Sequence, residues 1–184
     1  MTEALHPVSS EKANWLKSKI RDIPDFPKPG IVFKDLTTLL RDRDAFGYVI
    51  DVFADYFSTM KPQYIAGIEA RGFILGPAIA HKLNVGFIPV RKPGKLPARV
   101  VSETYQLEYG TDTLEVHEDC VSKGDSVILI DDLLATGGTA QAAYKLLNKV
   151  GADVTCIGFV VELGFLDGRK KMPEGVEVFS IIDF

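Results

Sequence analysis

The run Val127-Ile-Leu-Ile-Asp-Asp-Leu-Leu-Ala-Thr-Gly-Gly-Thr139 gathers more chemistry than any other stretch of the chain. Four apolar residues lead into two adjacent carboxylates, Asp131 and Asp132. Ala135 and Thr136 follow in a short loop, and then Gly137, Gly138 and Thr139, where a helix is expected to start. Glycines let backbone N–H groups close on an anion with no Cβ in the way. A helix N-terminus adds unpaired donors and a favourable dipole, so a phosphate is the natural guest. Thr136 and Thr139 add hydroxyl donors. Ionised carboxylates only accept, so Asp131 and Asp132 suit sugar hydroxyls rather than the phosphate. A phosphate close to a diol describes a ribose 5-phosphate. A plain strand–turn–helix connection would not need two carboxylates and two glycines together. The chain has neither GxxxxGK[ST] nor GxGxxG, which sets aside the P-loop and dinucleotide fingerprints.

The elements that must position this run follow from the polarity pattern. Val127 to Ile130 are four consecutive apolar residues, the mark of a strand buried on both faces. A loop over 131–137 is expected to lead into a helix over 138–150, ended by Gly151. Upstream, residues 1–10 are polar and expected to be loose. A helix fits 11–21, with Ser10 as cap, and Pro24, Pro27, Pro29 and Gly30 should break regular structure after it. The clearest helix is 44–60, where Phe46, Val49, Ile50, Phe53, Ala54 and Phe57 recur at three- and four-residue steps and Asp44 can cap. A strand over 64–68, a loop over 69–72, a helix over 73–83 and a strand over 86–90 argue for a parallel pair. A basic loop over 91–99 follows. Alternating polarity over 104–109 and 113–116 around Gly110 suggests a hairpin. Strands over 154–161 and 176–182 complete a doubly wound α/β architecture. In such sheets ligands bind at the carboxyl ends of the strands, and the loops 69–72, 91–99 and 131–139 fall at that edge.

Composition narrows the class further. A length of 184 residues favours one domain over 1–184. With 46% hydrophobic and 25% charged residues, the chain is neither disordered nor fibrous. A net charge of −4 gives no global attraction for nucleic acid or an anionic membrane. Cys120 and Cys156 lie far apart without metal-ligand spacing, so no metal site is expected from them. Two free thiols suit a reducing cytosol, and cytoplasmic localisation is the expectation. Residues 1–20 contain no signal-type apolar run, and no apolar run approaches the roughly 18 residues of a membrane span.

The block over 127–139, with the segments below, resembles the diphosphate-sugar motif of the type I phosphoribosyltransferases. Within that family it is similar to the adenine-specific branch, over nearly the whole chain from Ile31. The resemblance implies a mostly parallel sheet flanked by helices, with a hairpin flap over 104–117 and an N-terminal hood carrying the base-binding segment 31–35. It gives Asp131 and Asp132 the ribose hydroxyls, and Ala135, Thr136, Gly137, Gly138 and Thr139 the 5-phosphate. Gly67-Ile-Glu-Ala-Arg-Gly-Phe73 resembles the pyrophosphate loop, with Arg71 on the leaving diphosphate and a cis peptide expected at Glu69–Ala70. Arg91, Lys92 and Lys95 form a second cationic cluster for the diphosphate. Two of them, Lys92 and Lys95, would act in part across a homodimer. Tyr105-Gln-Leu-Glu-Tyr-Gly110 resembles the mobile catalytic loop. From the residues alone Glu108 reads as an exposed strand glutamate; the resemblance gives it the acid/base role and lays Tyr109 over the reacting groups.

Gly30-Ile-Val-Phe-Lys-Asp35 resembles the base-binding segment. Phe33 would stack on the purine, and the backbones of Val32 and Lys34 would read its edge. Many members carry arginine where this chain has Lys34, and lysine lacks the bidentate fork. Leu163 reads equally as hood or as plain core. The implied activity joins adenine to phosphoribosyl diphosphate, with Mg²⁺ carried by the substrate rather than held in a protein cage. The rivals are a transferase for another base and a non-catalytic module that senses phosphoribosyl diphosphate. Only about ten residues precede the first expected helix, which leaves no room for a helix-turn-helix element.

Overall fold

The computed structural model describes residues 8–106 and 110–184. Of the expected loose start, Met1–Pro7 lies outside the described residues, whereas Val8 is buried and Ser9 is the cap of the first helix. That helix, α1 (Ser10–Ser18), receives Ser9 Oγ on the Lys12 N–H at 3.3 Å. It stops three residues short of the expected end at 21. Arg21–Pro24 forms β1, paired antiparallel with β2 (Val32–Asp35). The prolines were expected to forbid such pairing. Pro24 is tolerated because it ends a strand in a two-stranded ribbon, where a missing N–H costs no ladder bond on a second edge. The intervening turn is held by the Gly30 N–H donating to Asp25 Oδ1 at 2.7 Å.

A short α2 (Thr37–Arg41) leads into α3 (Arg43–Ser58). Asp42, not Asp44, is the cap: its Oδ1 accepts from the Asp44 and Ala45 N–H groups at 3.1 and 3.0 Å. The expected stripe is buried at Val49, Ile50, Phe53, Ala54 and Phe57. Beyond it lie β3 (Tyr64–Ile68), α4 (Gly72–Leu83), β4 (Gly86–Val90), β5 (Val100–Gln106), β6 (Thr111–His117), β7 (Ser126–Leu134), α5 (Gly138–Lys149), β8 (Asp153–Glu162) and β9 (Glu177–Asp183).

Five of these strands form one all-parallel sheet in the order β4-β3-β7-β8-β9. Its faces are both apolar, as parallel sheets require. Ile128 and Ile130 face a cluster with Phe53, Phe57, Leu75 and Ile79; Val127 and Leu129 face another with Leu114, Ala143, Leu146 and Leu147. Strands β5 and β6 form a separate antiparallel hairpin. The chain leaves β3 for β4 on one side, then crosses back to β7 on the other. A crevice opens at the carboxyl ends where strand order reverses in this way. Here that is the end of β3 and the end of β7.

One correction falls on the site. Residues 131–134 are not loop but the end of β7: Asp131 pairs with Phe159, Leu133 with Val161 and Leu134 with Glu162. The two carboxylates are therefore held by sheet pairing.

The base of the β1–β2 ribbon is pinned by Asp35. Its carboxylate accepts from the Thr37 hydroxyl at 2.6 Å, the Thr37 N–H at 2.9 Å and Arg21 Nη2 at 2.5 Å. Those bonds, the Thr37 hydroxyl first and Arg21 next, hold its pKa down at about 2. A depressed carboxylate stabilises the fold above its unfolded pKa of about 3.9, and that contribution is lost as pH falls through the folded value. Asp35→Asn is expected to lower the melting temperature at neutral pH. In melts at stepped pH the gap to the parent should close as pH approaches about 2.

Candidate active site

Two adjoining cavities lie at the switch point. The smaller, about 190 Å³, is lined by Arg71 and by the run from Asp131 to Ala140. The larger, about 650 Å³, lies under the ribbon and is mainly apolar, with Ile31, Phe33, Leu163, Phe165 and Phe184 among its walls. Leu133 and Ala135 line both. A volume of this size fits a small-molecule site, which ordinarily spans about 300–1,000 Å³.

The smaller cavity is a phosphate cradle in geometry. Gly137 stands at the N-cap of α5 with φ +78°, and a Cβ there would approach the Gly168 carbonyl oxygen to 2.6 Å. Only glycine meets both demands. Its neighbours Thr136, Gly138 and Thr139 line the cavity with it, and no acidic residue sits in the first turn of α5 to compete for an anion. On the opposite wall, a Cβ on Gly72 would approach the Ile130 carbonyl oxygen to 2.8 Å. The start of α4 thus packs directly on β7.

The charges in this cradle are already arranged. Asp132, 2% exposed, forms an ion pair through Oδ2 with Arg71 Nε. Arg71 is nearly half-exposed and lines the smaller cavity. Asp131 Oδ1 accepts from the Asp132 N–H at 2.9 Å. Burial, then the neighbouring Asp132 charge, push the Asp131 pKa well above the usual carboxylate range. The Glu69–Ala70 peptide is cis, as the resemblance implies.

The second cationic cluster does not line either cavity. Arg91 Nε and Nη2 donate to the two Glu69 carboxylate oxygens at 3.1 and 3.4 Å, and the Lys92 N–H adds a third bond at 3.1 Å. Arg91, with the Lys92 N–H behind it, holds the Glu69 pKa below its ordinary value. The basic loop is thereby fastened to the 69–71 loop. Lys92 Nζ is paired with Asp112 of β6. The Tyr105 hydroxyl donates to the same carboxylate at 3.3 Å and accepts from Thr139 at 3.3 Å, so the hairpin touches the cradle. Lys95 is exposed, and its carbonyl accepts from Arg91 at 3.2 Å. Glu108 and Tyr109 lie outside the described residues.

Val32, Phe33, Lys34 and Leu163 all line the larger cavity. Phe33 packs edge-on against Phe26 with centroids 5.2 Å apart. The Lys34 ammonium is tied to Asp22 at 2.8 Å and lies 4.2 Å over the Phe184 ring. Its side chain is thereby fixed against the cavity wall. Among the described residues β2 pairs with β1 alone. Ile31, inside the expected segment 31–35, lines the cavity too; sequence reasoning missed Leu133, Phe165, Leu166, Phe184 and Asp22 there, and Gly168 behind the cradle. An aromatic left in a short glycine-flanked loop, Gly164-Phe165-Leu166, was the available signal.

Among the described residues no group of three or more histidine, cysteine or carboxylate side chains could hold a metal, and no helix is long and apolar enough to cross a membrane.

An anion-suited pocket at the end of β7 adjoins an apolar cavity, and the sequence model of the phosphoribosyl transferase domain matches residues 36–183. The chain belongs to that family, within its adenine phosphoribosyltransferase branch. A curated adenine phosphoribosyltransferase from Acidobacterium capsulatum is 52% identical over 98% of this chain and 99% of its own. The crystal structure of adenine phosphoribosyltransferase from Thermoanaerobacter pseudethanolicus superposes with a TM-score of 0.89 at 52% identity, covering 94% of this chain and 99% of that one. The enzyme from Saccharomyces cerevisiae, solved with an imino-altritol bisphosphate and adenine, gives a TM-score of 0.88 at 40% identity, covering 94% and 99%.

The raised Asp131 carboxyl generates a prediction. Its neutral form is favoured in the fold, so the stability it lends is present at low pH and lost as pH rises through its folded pKa. Asp131→Asn keeps the acceptor for the Asp132 N–H and removes the charge. The ligand-free variant should melt above the parent at neutral pH, by roughly 2–4 °C for each kcal/mol recovered, and the two should converge in acid. Titration with phosphoribosyl diphosphate should show weaker binding.

Proposed function

We propose that this chain transfers the phosphoribosyl group of 5-phosphoribosyl 1-diphosphate to adenine, giving AMP and pyrophosphate in purine salvage. The observation that carries the reading is the shared wall. Leu133 and Ala135 separate an oxygen-rich phosphate cradle from an apolar ring cavity by the thickness of a strand end. A ribose lying across that wall puts its 5-phosphate on Ala135, Thr136, Gly137, Gly138 and Thr139, its hydroxyls on Asp131 and Asp132, and its anomeric carbon toward the base.

The chain's residues then divide the work. Arg71 meets the leaving diphosphate, supported by the Arg91, Lys92 and Lys95 cluster. Phe33 and Leu163 sandwich the purine. Backbone groups of Val32 and Lys34 read its edge: a carbonyl accepts from the amino group and an N–H donates to a ring nitrogen. Hypoxanthine reverses that pattern and would leave buried groups unpaired. Departure of pyrophosphate builds positive charge at the anomeric carbon, and adenine gives up an imidazole proton as the new bond forms. Glu108 stabilises the first and accepts the second. Mg²⁺, if carried by the diphosphate and ribose hydroxyls of the substrate, would supply counter-charge to the leaving group. The cradle suits such a substrate-borne ion, since its two carboxylates include one already paired to Arg71. Free thiols at Cys120 and Cys156 support a cytoplasmic setting, and the family resemblance supports a homodimer.

A base panel tests the reaction. With phosphoribosyl diphosphate and Mg²⁺, product is expected from adenine and not from hypoxanthine, guanine, xanthine or orotate. Product from another base would overturn the reading of 31–35. Binding of phosphoribosyl diphosphate without any product would make the chain a sensor. Glu108→Gln should cut turnover about 10²–10⁴-fold, the usual range for a general acid–base group, with substrate affinities little changed in the same assays.

A further inference from the structure

The segment between β8 and β9 carries a network that the proposed reaction does not use. Arg169 Nε donates to both Glu162 carboxylate oxygens at 2.9 and 3.2 Å, and Nη2 adds a bond of 2.5 Å. Nη1 donates to the Val178 carbonyl at 2.8 Å. Ser180 Oγ donates to the same glutamate at 2.8 Å. Glu162 ends β8, and Val178 and Ser180 belong to β9. One guanidinium thus fastens the segment to two neighbouring strands. From the other side, Gln141 Nε2 of α5 donates to the Lys171 carbonyl at 2.9 Å.

What lies between these fastenings serves both cavities. Leu163, Phe165 and Leu166 wall the larger one. Two residues on, Gly168 packs so tightly on the phosphate loop that a Cβ there would overlap the Ala135 carbonyl oxygen, and its own carbonyl backs Gly137. The Arg169 side chain lines neither cavity.

We propose that Arg169 is a positioning residue that sets the base cavity and the phosphate cradle together. Through Glu162 it holds one segment that forms the wall of the first and the back of the second. The inference rests on reading the two cavities as base and phosphoribosyl subsites. Nearly half of the Arg169 side chain meets water, but Glu162 is only 13% exposed, so removing the arginine leaves a largely buried carboxylate without its main donor and lowers the melting temperature as well. What marks a positioning role is a joint loss of affinity for both ligands, read well below the melting temperature of each variant.

The test compares Arg169→Leu, Arg169→Lys and Glu162→Gln with the parent. Adenine and ribose 5-phosphate are titrated separately by calorimetry, KM and kcat are measured for both substrates, and melting is followed in parallel. Arg169→Leu should weaken both ligands and raise both KM values by about ten-fold, the scale of one lost charge-assisted network, with kcat changed far less. Lysine retains the charge and one donor and should restore part of both affinities. Phe165→Ala, which touches only the base wall, should move adenine alone. Affinities unchanged in Arg169→Leu, or a loss confined to one ligand, would overturn the proposal. Should the leucine variant not fold, the lysine and glutamine variants decide it, since each must shift both ligands together. A parent protein that binds neither ligand would instead remove the functional reading; a parent that binds both, with variants that bind equally well, removes only the role of Arg169.

Discussion

The last residues of β7 fix the separation of the two cavities. Asp131 and Asp132 line the cradle, and Leu133 and Ala135 wall both cavities. This strand is the middle of the sheet, paired to β3 on one edge and β8 on the other. Its position is therefore set by main-chain hydrogen bonds on both sides and by apolar packing on both faces. Its neighbours at the site are set against it: α4 through Gly72 on the Ile130 carbonyl, and the Leu163 segment through the Leu163 N–H on the Leu134 carbonyl at 2.9 Å.

The same strand end concentrates electrostatic cost. Two neighbouring carboxylates sit at a sheet terminus, and Arg71 is bound to one of them, Asp132. Asp131 keeps a raised pKa because burial and the Asp132 charge act in the same direction. A site built this way is destabilising until a ligand supplies hydroxyl donors and a counter-charge, a familiar exchange of stability for function. At the neighbouring loop the balance is reversed. Glu69 has Arg91 and the Lys92 N–H to itself, and its pKa is held low. The 69–71 loop is thus anchored by a satisfied charge, while the end of β7 holds a carboxyl whose charged form is disfavoured.

The parts legible in the sequence were those whose signal is local. The apolar stripe of α3, the four-residue core of β7 and the glycine pair opening α5 each announce themselves within a few residues. The misread parts were decided by pairing with distant chain. Aspartate is depleted in strands, so 131–134 reads as loop, yet β8 supplies partners that carry β7 through to Leu134. Pro24 and Pro29 read as breakers, yet a two-stranded ribbon spares Pro24 the N–H it lacks. The cradle was legible because anion binding by glycines at a helix start is short-range. The ring cavity was only half legible. Residues 31–34 were found, but Leu133, Phe165 and Phe184 meet them only through the fold. Gly168 looks like any loop glycine until Ala135 is seen against it.

Under the proposed function, that apolar cavity must tell one purine from another. Phe33, Leu163 and Phe165 offer area and stacking, which every purine accepts alike. Discrimination must come from polar groups of fixed direction, and the edge of β2 is where the wall offers them. A donor–acceptor pair separates two ring edges only if it cannot swivel to suit the wrong one. The ribbon is built against swivelling. Asp35 holds its base to Thr37 and Arg21, Lys34 bridges Asp22 to the Phe184 ring, and Asp25 closes the turn onto Gly30. Under the proposed function these charged side chains, of which Lys34 and Asp22 also line the cavity, are the ones that hold its backbone to a single ring edge.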